Sequence, residues 1–453
     1  MYSTASALAF LIACGNHSLD DAVQPGGDPG DPGSLSPGAS GNSSDGGVAT
    51  DAHPGGDATP GGDATPGDAG PGDAGPPVAT CPIGTATWAL ALGTSRADQR
   101  SDIAVDADGN VLFATRAERP SDIDGLTKLS PSGEVLFTRP FGAVVATDRM
   151  GNAYIAGSFT EPLDVGLGVM VPEGNIDAFV AKLDAHGNTV FARPLRLCGD
   201  GIISIAVDRT GRIAVSGTAM GTAVLTVNGD VDFVAPLSGD VAFDSRGDLV
   251  IGGSFTSTTI DLGDGPISAG PSSKGFIIAL DLTGHRIWSH LLDGVGVLVN
   301  GVAVDSNDNV LLDGYYTGSI DLFGDVFQAM YAGESGRISG AYIAALDSSG
   351  AVIWKQGRAP GSEANGVATD PRDNAIMAGA ETGNAGFSRI TEVIRFDTAG
   401  RRTTVFTMAP GSGYGRAMSV AADACGSVYT TVNGLESPSQ ITPIRAYVVK
   451  VTR

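Results

Sequence analysis

One short motif, returning seven times, constrains this chain more than anything else in it. A run of small and β-branched residues ends in aspartate, and a tight turn follows. The copies are Ile103-Ala104-Val105-Asp106, Val145-Ala146-Thr147-Asp148, Ile205-Ala206-Val207-Asp208, Val241-Ala242-Phe243-Asp244, Val302-Ala303-Val304-Asp305, Val367-Ala368-Thr369-Asp370 and Val420-Ala421-Ala422-Asp423. Two of the turns carry Gly-Asn, at Gly109-Asn110 and Gly151-Asn152, and others carry Gly-Arg, Gly-Asp or Gly-Ser. Glycine there supplies the positive φ of a hairpin turn. The aspartates are expected to accept hydrogen bonds from turn amides. Asp106-Ala107-Asp108-Gly109-Asn110 lacks the bidentate Glu and the spacing of a calcium loop, so turn capping is the expected role.

The fullest copy runs from Val302 to Trp354 and contains four short β-type runs, each broken by a turn signal. Its second half, Tyr342 to Asp347, recurs at Phe179–Asp184 and Phe276–Asp281, and at Val393-Ile394-Arg395-Phe396-Asp397. A glycine turn then leads to an aromatic residue four positions on. Gly133 precedes Phe137, Gly187 precedes Phe191, Gly284 precedes Trp288 and Gly350 precedes Trp354. Aromatics at a fixed repeat position are expected to pack between repeats.

Four strands per repeat, with no helical period, predict an all-β chain: a seven-bladed β-propeller of four-stranded blades. The third repeat is short and lacks the Asp-x-x-Gly-x-x-x-Trp ending, and it is read as a compact blade. The seventh stops at its third strand, Ala446–Val451, while an unassigned strand with Trp88 precedes the first repeat. The N-terminal strand is therefore expected to complete the last blade and close the ring.

The segment Val145 to Phe159, with Leu163-Asp164-Val165-Gly166 and Phe179 to Asp184, resembles the bacterial seven-bladed β-propeller repeat (SBBP type). That resemblance extends over most of residues 85–453. It implies a propeller fold and a surface lipoprotein, and it carries over no enzymatic residues. Leu280 to Trp288 also resembles the tryptophan docking motif of quinoprotein-type propellers, which is structural and implies no quinone.

Ahead of the repeats, Ala7 to Ala13 is a short apolar run ending at Cys14, which fits the apolar core of an export signal. Leu11-Ile12-Ala13-Cys14 resembles the bacterial lipobox, and the resemblance implies lipidation of Cys14 and, with Gly15 following, an outer-membrane destination. Residues 14–80 contain no Lys or Arg and are dominated by Gly, Pro and Asp. Such a stretch buries too little apolar surface to offset its ordering entropy, so a disordered acidic linker is expected. Its r.m.s. reach is about 45 Å. The expected organisation is a signal peptide over 1–13, a linker over 14–80 and a propeller over 81–453.

A formal charge of −23 with few basic residues excludes a nucleic-acid footprint and charge-driven docking on anionic lipid. After Cys14 come Cys81, Cys198 and Cys425. Cys81 and Cys425 fall on the same blade and face of the predicted ring, which makes them the candidate disulfide of an exported chain. Cys198 falls on the opposite face.

No His pair suggests a zinc site, since His17 and His53 lie in the linker and His186, His285 and His290 near outer turns. No nucleophile elbow is present. Neither a metal nor another cofactor is expected. The central mouth is expected just before the first strands, at Ser101, Asp102, Ser204, Asp240, Asn300, Asn365 and Arg416. Phe159, Phe255, Tyr315 and Tyr316 follow second strands; packing is their expected role, with the mouth as the alternative.

The sequence thus suggests a monomeric, lipid-anchored surface protein that engages a protein or glycan through its propeller. A propeller lyase or glycan hydrolase, and an outer-membrane assembly scaffold, are the alternatives.

Overall fold

The computed structural model describes residues 88–94, 101–115, 125–195, 201–329, 339–382, 389–408, 416–434 and 445–451. The chain divides into two units, and all the described residues belong to one of them. Signal, lipidation and linker assignments over residues 1–80 lie outside the described residues. Among those described, no helix is long and apolar enough to cross a membrane.

The described unit is a seven-bladed β-propeller. Blade 1 is Ser101–Val105, Val111–Thr115, Gly125–Leu129 and Val135–Arg139, each strand antiparallel to the next. The same order recurs in blades 2 to 6, whose innermost strands are Val144–Thr147, Ile202–Val207, Asp240–Phe243, Gly294–Val304 and Ser362–Thr369. Blade 7 orders Arg416–Ala422, Val428–Gly434, Arg445–Val451 and then Ala89–Thr94, the first strand among the described residues. Leu90 sits opposite Val448, and the Lys450 amide donates to the Trp88 carbonyl at 2.9 Å. The ring closes as the repeat count predicted.

The second and third strands of each blade are the most buried, because both faces pack on neighbouring blades. Val111, Leu112, Ile155, Val180, Val215, Ile277, Ile343, Ile376 and Val448 are all fully enclosed. The resulting core clusters span pairs of blades, so no blade has a core of its own.

Fourth-strand aromatics tie the seams. Trp288 lies over Gly350 of the next blade, 2.7 Å from where a Cβ would sit, and its indole N–H donates to the Ser348 carbonyl at 3.0 Å. Gly350 has φ 84°, so the turn and the indole both require glycine there. Trp88 meets Gly133 in the same way, and so do Phe137 with Gly187, Phe191 with Gly229 and Trp354 with Gly400. The third blade corrects the sequence reading. Phe233 packs on Gly284, so this blade does carry the aromatic ending. Thr226 replaces the usual aspartate, its hydroxyl accepting from the Asp230 amide at 3.3 Å.

Candidate functional site

The turn aspartates belong to the frame. Asp106 accepts from the amides of Asp108 (3.0 Å) and Asn110 (2.8 Å) and from the Asn110 side chain (2.9 Å). Asp148, Asp305 and Asp370 bind Asn152, Asn309 and Asn374 alike. Asp208, Asp244 and Asp423 accept the corresponding backbone amides.

In three blades a third-strand cation reaches these turns, and in blade 7 Lys450 reaches the third–fourth turn of blade 1 instead. Lys128, only 2 % exposed, pairs with Asp106 at 2.9 Å and donates to the Ala185 carbonyl of blade 2. Lys182 faces Asp148 at 3.6 Å, Arg395 faces Asp370 at 3.1 Å, and Lys450 donates to the Pro131 carbonyl. Blades 3, 4 and 5 have Val224, Ala279 and Ala345 there, and the seams beside blades 4 and 5 use a different clamp. Asp308 and Asp373 stand at positive φ, 64° and 60°, where other turns have glycine. Asp308 accepts from the Ser245 amide and hydroxyl of the preceding blade, and Asp373 from Ser306 and Asn307.

Seven inner strands enclose a central channel of about 650 Å³. Ser101, Asp102, Ser204, Asp240, Asn300, Asn365 and Arg416 all line it. They lie on the inner strands themselves, not ahead of them as the sequence suggested, because those strands begin earlier. Several also hold seams. Asp102 accepts from the Val145 amide of blade 2 at 2.9 Å and from its own neighbour Ile103 at 2.9 Å. Asp240 accepts from Val302 of blade 5 at 2.7 Å, and Ser204 from Val241 of blade 4 at 3.3 Å. The side-chain amides of Asn300 and Asn365 donate to Ala364 (2.7 Å) and Ala417 (2.9 Å).

Of the aromatics named from the sequence, Phe159, Phe255 and Tyr316 are buried packing residues, and only Tyr315 lines the channel. Sequence reasoning missed Glu363, which lines the channel 3.6 Å from Arg416, and Ser419, whose hydroxyl donates to Asp102 at 3.4 Å. It also missed Asp313, fully buried on the second strand of blade 5. That position holds Ala114, Gly252 or Ala378 in other blades, so an acid inside Leu311-Leu312-Asp313-Gly314 was a legible signal. Its carboxyl occupies the side-chain space of Gly301 and faces the Gly301 and Gly366 amides without a well-formed hydrogen bond.

Two of the acids, Asp102 and Asp313, share one electrostatic character. Burial, reinforced by the like charge of Asp240, pushes Asp102 up to about 6. Burial and the same neighbour hold Asp313 well above the ordinary carboxylate range.

His290 is a seam residue, its Nε2 2.8 Å from the Gly350 carbonyl, while His186 and His285 lie in exposed turns. Among the described residues no group of three or more His, Cys, Asp or Glu could hold a metal ion. Cys425 is disulfide-bonded. Cys81, Cys198 and Cys14 lie outside the described residues.

Fold and site together define a closed seven-bladed propeller with a polar, partly acidic channel. No family model matches the chain, and no curated protein matches it. Among solved structures it is similar to one titled "Structure of U3-55K", at 12% identity and a TM-score of 0.49, over 80% of this chain and 98% of that one. It is also similar to a protein of unknown function from Bacteroides caccae, at 15% identity and a TM-score of 0.34, over 58% and 83%.

Proposed function

We propose that this is an exported, lipid-anchored surface protein whose propeller binds a macromolecular or glycan partner at the central channel. The observation that carries the reading is the channel wall itself. Tyr315, Glu363 and Arg416 place an aromatic, an acid and a guanidinium in one open cavity that a closed ring does not need in order to pack. The export half rests on the apolar run ending at Cys14, the linker composition of residues 14–80 and the resemblance to propeller-repeat lipoproteins, and it is supported by a disulfide at Cys425.

A crosslinked capture from the native cell envelope tests the binding half. The intact protein should retain a reproducible partner that an Arg416→Glu variant loses, and recovery unchanged in that variant would move binding away from the channel. Cys14→Ala should release the protein from membranes; a variant that still sediments with membrane after a salt wash would end the anchor reading.

The second reading, a glycan hydrolase, draws on Asp102, pushed up to about 6 by burial and the nearby charge of Asp240, since a carboxyl raised in this way suits general-acid work. Both carboxyls already accept inter-blade amides, which ranks binding first.

A further inference from the structure

The seven inner strands are copies of one element, so the places where the copies differ separate what the fold needs from what it does not. Four blades break the pattern, three of them consecutive. In blades 5, 6 and 7 the pairing of the first two strands slips by one residue, at Asn300, Asn365 and Met418. Blades 1, 2 and 4 keep an unbroken register there, and blade 3 slips at the apolar Ile203. A bulge turns its extra side chain off the ladder and commonly borders a binding site. All four extra residues, Ile203 among them, line the channel, and the two polar ones, Asn300 and Asn365, stand in adjacent blades.

On the same arc Tyr315 lines the channel at a position that is Ser158, Ser254 or Ala380 in blades 2, 4 and 6. Glu363 and Arg416 complete it. One side of the channel is thus an aromatic residue with planar amide, carboxylate and guanidinium groups, while blades 2 and 3 contribute the smaller or apolar Ala143, Val144, Ile203 and Ser204.

We propose that this arc binds a neutral or amino sugar unit of a glycan. Planar groups bearing paired donors or acceptors match the vicinal hydroxyls of a pyranose, and an aromatic ring matches its apolar face. A cavity of about 650 Å³ falls in the range that encloses a small ligand. Acidic sugars are disfavoured, because Asp102, Asp240 and Glu363 face a single guanidinium, Arg416, in the wall. An extended peptide is also disfavoured. Strand addition needs open edge amides, and those of Val145, Val241, Val299 and Val302 already donate to Asp102, Ser204, Ser254 and Asp240.

The assignment rests on the binding reading above, and its test separates the two. Saturation-transfer NMR on the full chain would compare maltotriose, chitotriose, the glucosamine trimer, trigalacturonate and a tetra-alanine peptide. At least one of the first three should receive transfer, and trigalacturonate should not. Tyr315→Leu and, separately, Glu363→Gln should weaken that binding at least tenfold while the thermal midpoint stays within a few degrees of the parent, which keeps the test valid if one variant folds poorly. Absence of transfer to all three sugars, transfer that both folded variants leave unchanged, or stronger transfer to trigalacturonate would overturn the assignment. Channel-dependent capture from the envelope with silent sugars, or with a responding peptide, would remove the ligand class and leave the binding reading in place. Empty capture together with silent sugars would remove both.

Discussion

Asp102 and Asp106 bracket one short strand and live in opposite electrostatic worlds. Asp106, at the turn, accepts three hydrogen bonds and lies 2.9 Å from the buried Lys128 ammonium. Asp102, in the channel, also accepts amides, yet the nearby charge that moves it is Asp240, another carboxylate. The contrast extends round the ring. In the outer turns, a side-chain bond from Asn188 holds Asp184 below the usual carboxylate range, and one from Ser349 does the same for Asp347. Towards the channel, burial holds Asp102 and Asp313 above it. The same residue type therefore builds the frame cheaply at the rim, while at the centre it ties seams at the cost of its own burial. Stability is surrendered where a cavity must stay polar.

The largest effect is expected from Asp106→Ala. It leaves the Lys128 ammonium buried without its carboxylate, which should cost about 3–5 kcal/mol in chemical denaturation. A loss below 1 kcal/mol would mean that the Ala185 and Gly151 carbonyls alone satisfy Lys128.

A smaller effect is expected from the channel side, with the sign set by linkage. A carboxyl whose folded value is raised holds its proton more tightly folded than unfolded. Its contribution is therefore intact below the ordinary value and lost as pH rises through the folded one. For Asp102 that loss falls between roughly pH 4 and 6. Asp313 adds a loss at higher pH, and Asp313→Asn, which mimics the neutral acid, should remove it. The variant should match its parent near pH 4 and exceed it at pH 8 in unfolding midpoint. A parent curve that rises across this range, or a variant with the parent's slope, would refute the arrangement.

The smallest effect belongs to an exposed turn. Asp397→Ala removes acceptors for the Ala399 and Arg401 amides in water, where solvent replaces them, and the thermal midpoint should move by no more than measurement error.

The frame was legible because it repeats. Seven Val-Asp turns set the blade count, and Trp88 ahead of the first identified the strand that completes the last. The channel was less legible because function departs from the repeat. Asn300, Asn365 and Met418 enter the wall through single-residue slips of register, which shift nothing in the hydrophobic pattern on either side. The small hairpin Leu163–Asp164 with Val169–Met170, and its counterpart in blade 4, were hidden for a related reason, since two or three residues per strand carry too little periodicity to read. Asp308 and Asp373 could have been found, since each stands where the repeat calls for glycine.

The strand Ala89–Thr94 precedes every other strand of the ring and is hydrogen-bonded to the last, Arg445–Val451. This sets an order in time. Each of the first six blades is made of sequential hairpins and can pair its strands as its own residues are synthesised, its core filling when the next blade follows, but the seventh cannot pair all of its strands so, because one of them is the oldest part of the ring and another the newest. Joining them closes a loop nearly as long as the whole domain, the slowest kind of contact for a chain to find. Until then two unpaired strand edges coexist in one molecule, each the natural complement of the other and of the same edge on a second copy. The interval between finishing residue 451 and docking residue 89 is thus the period in which this protein is most exposed to exchanging strands with its own kind.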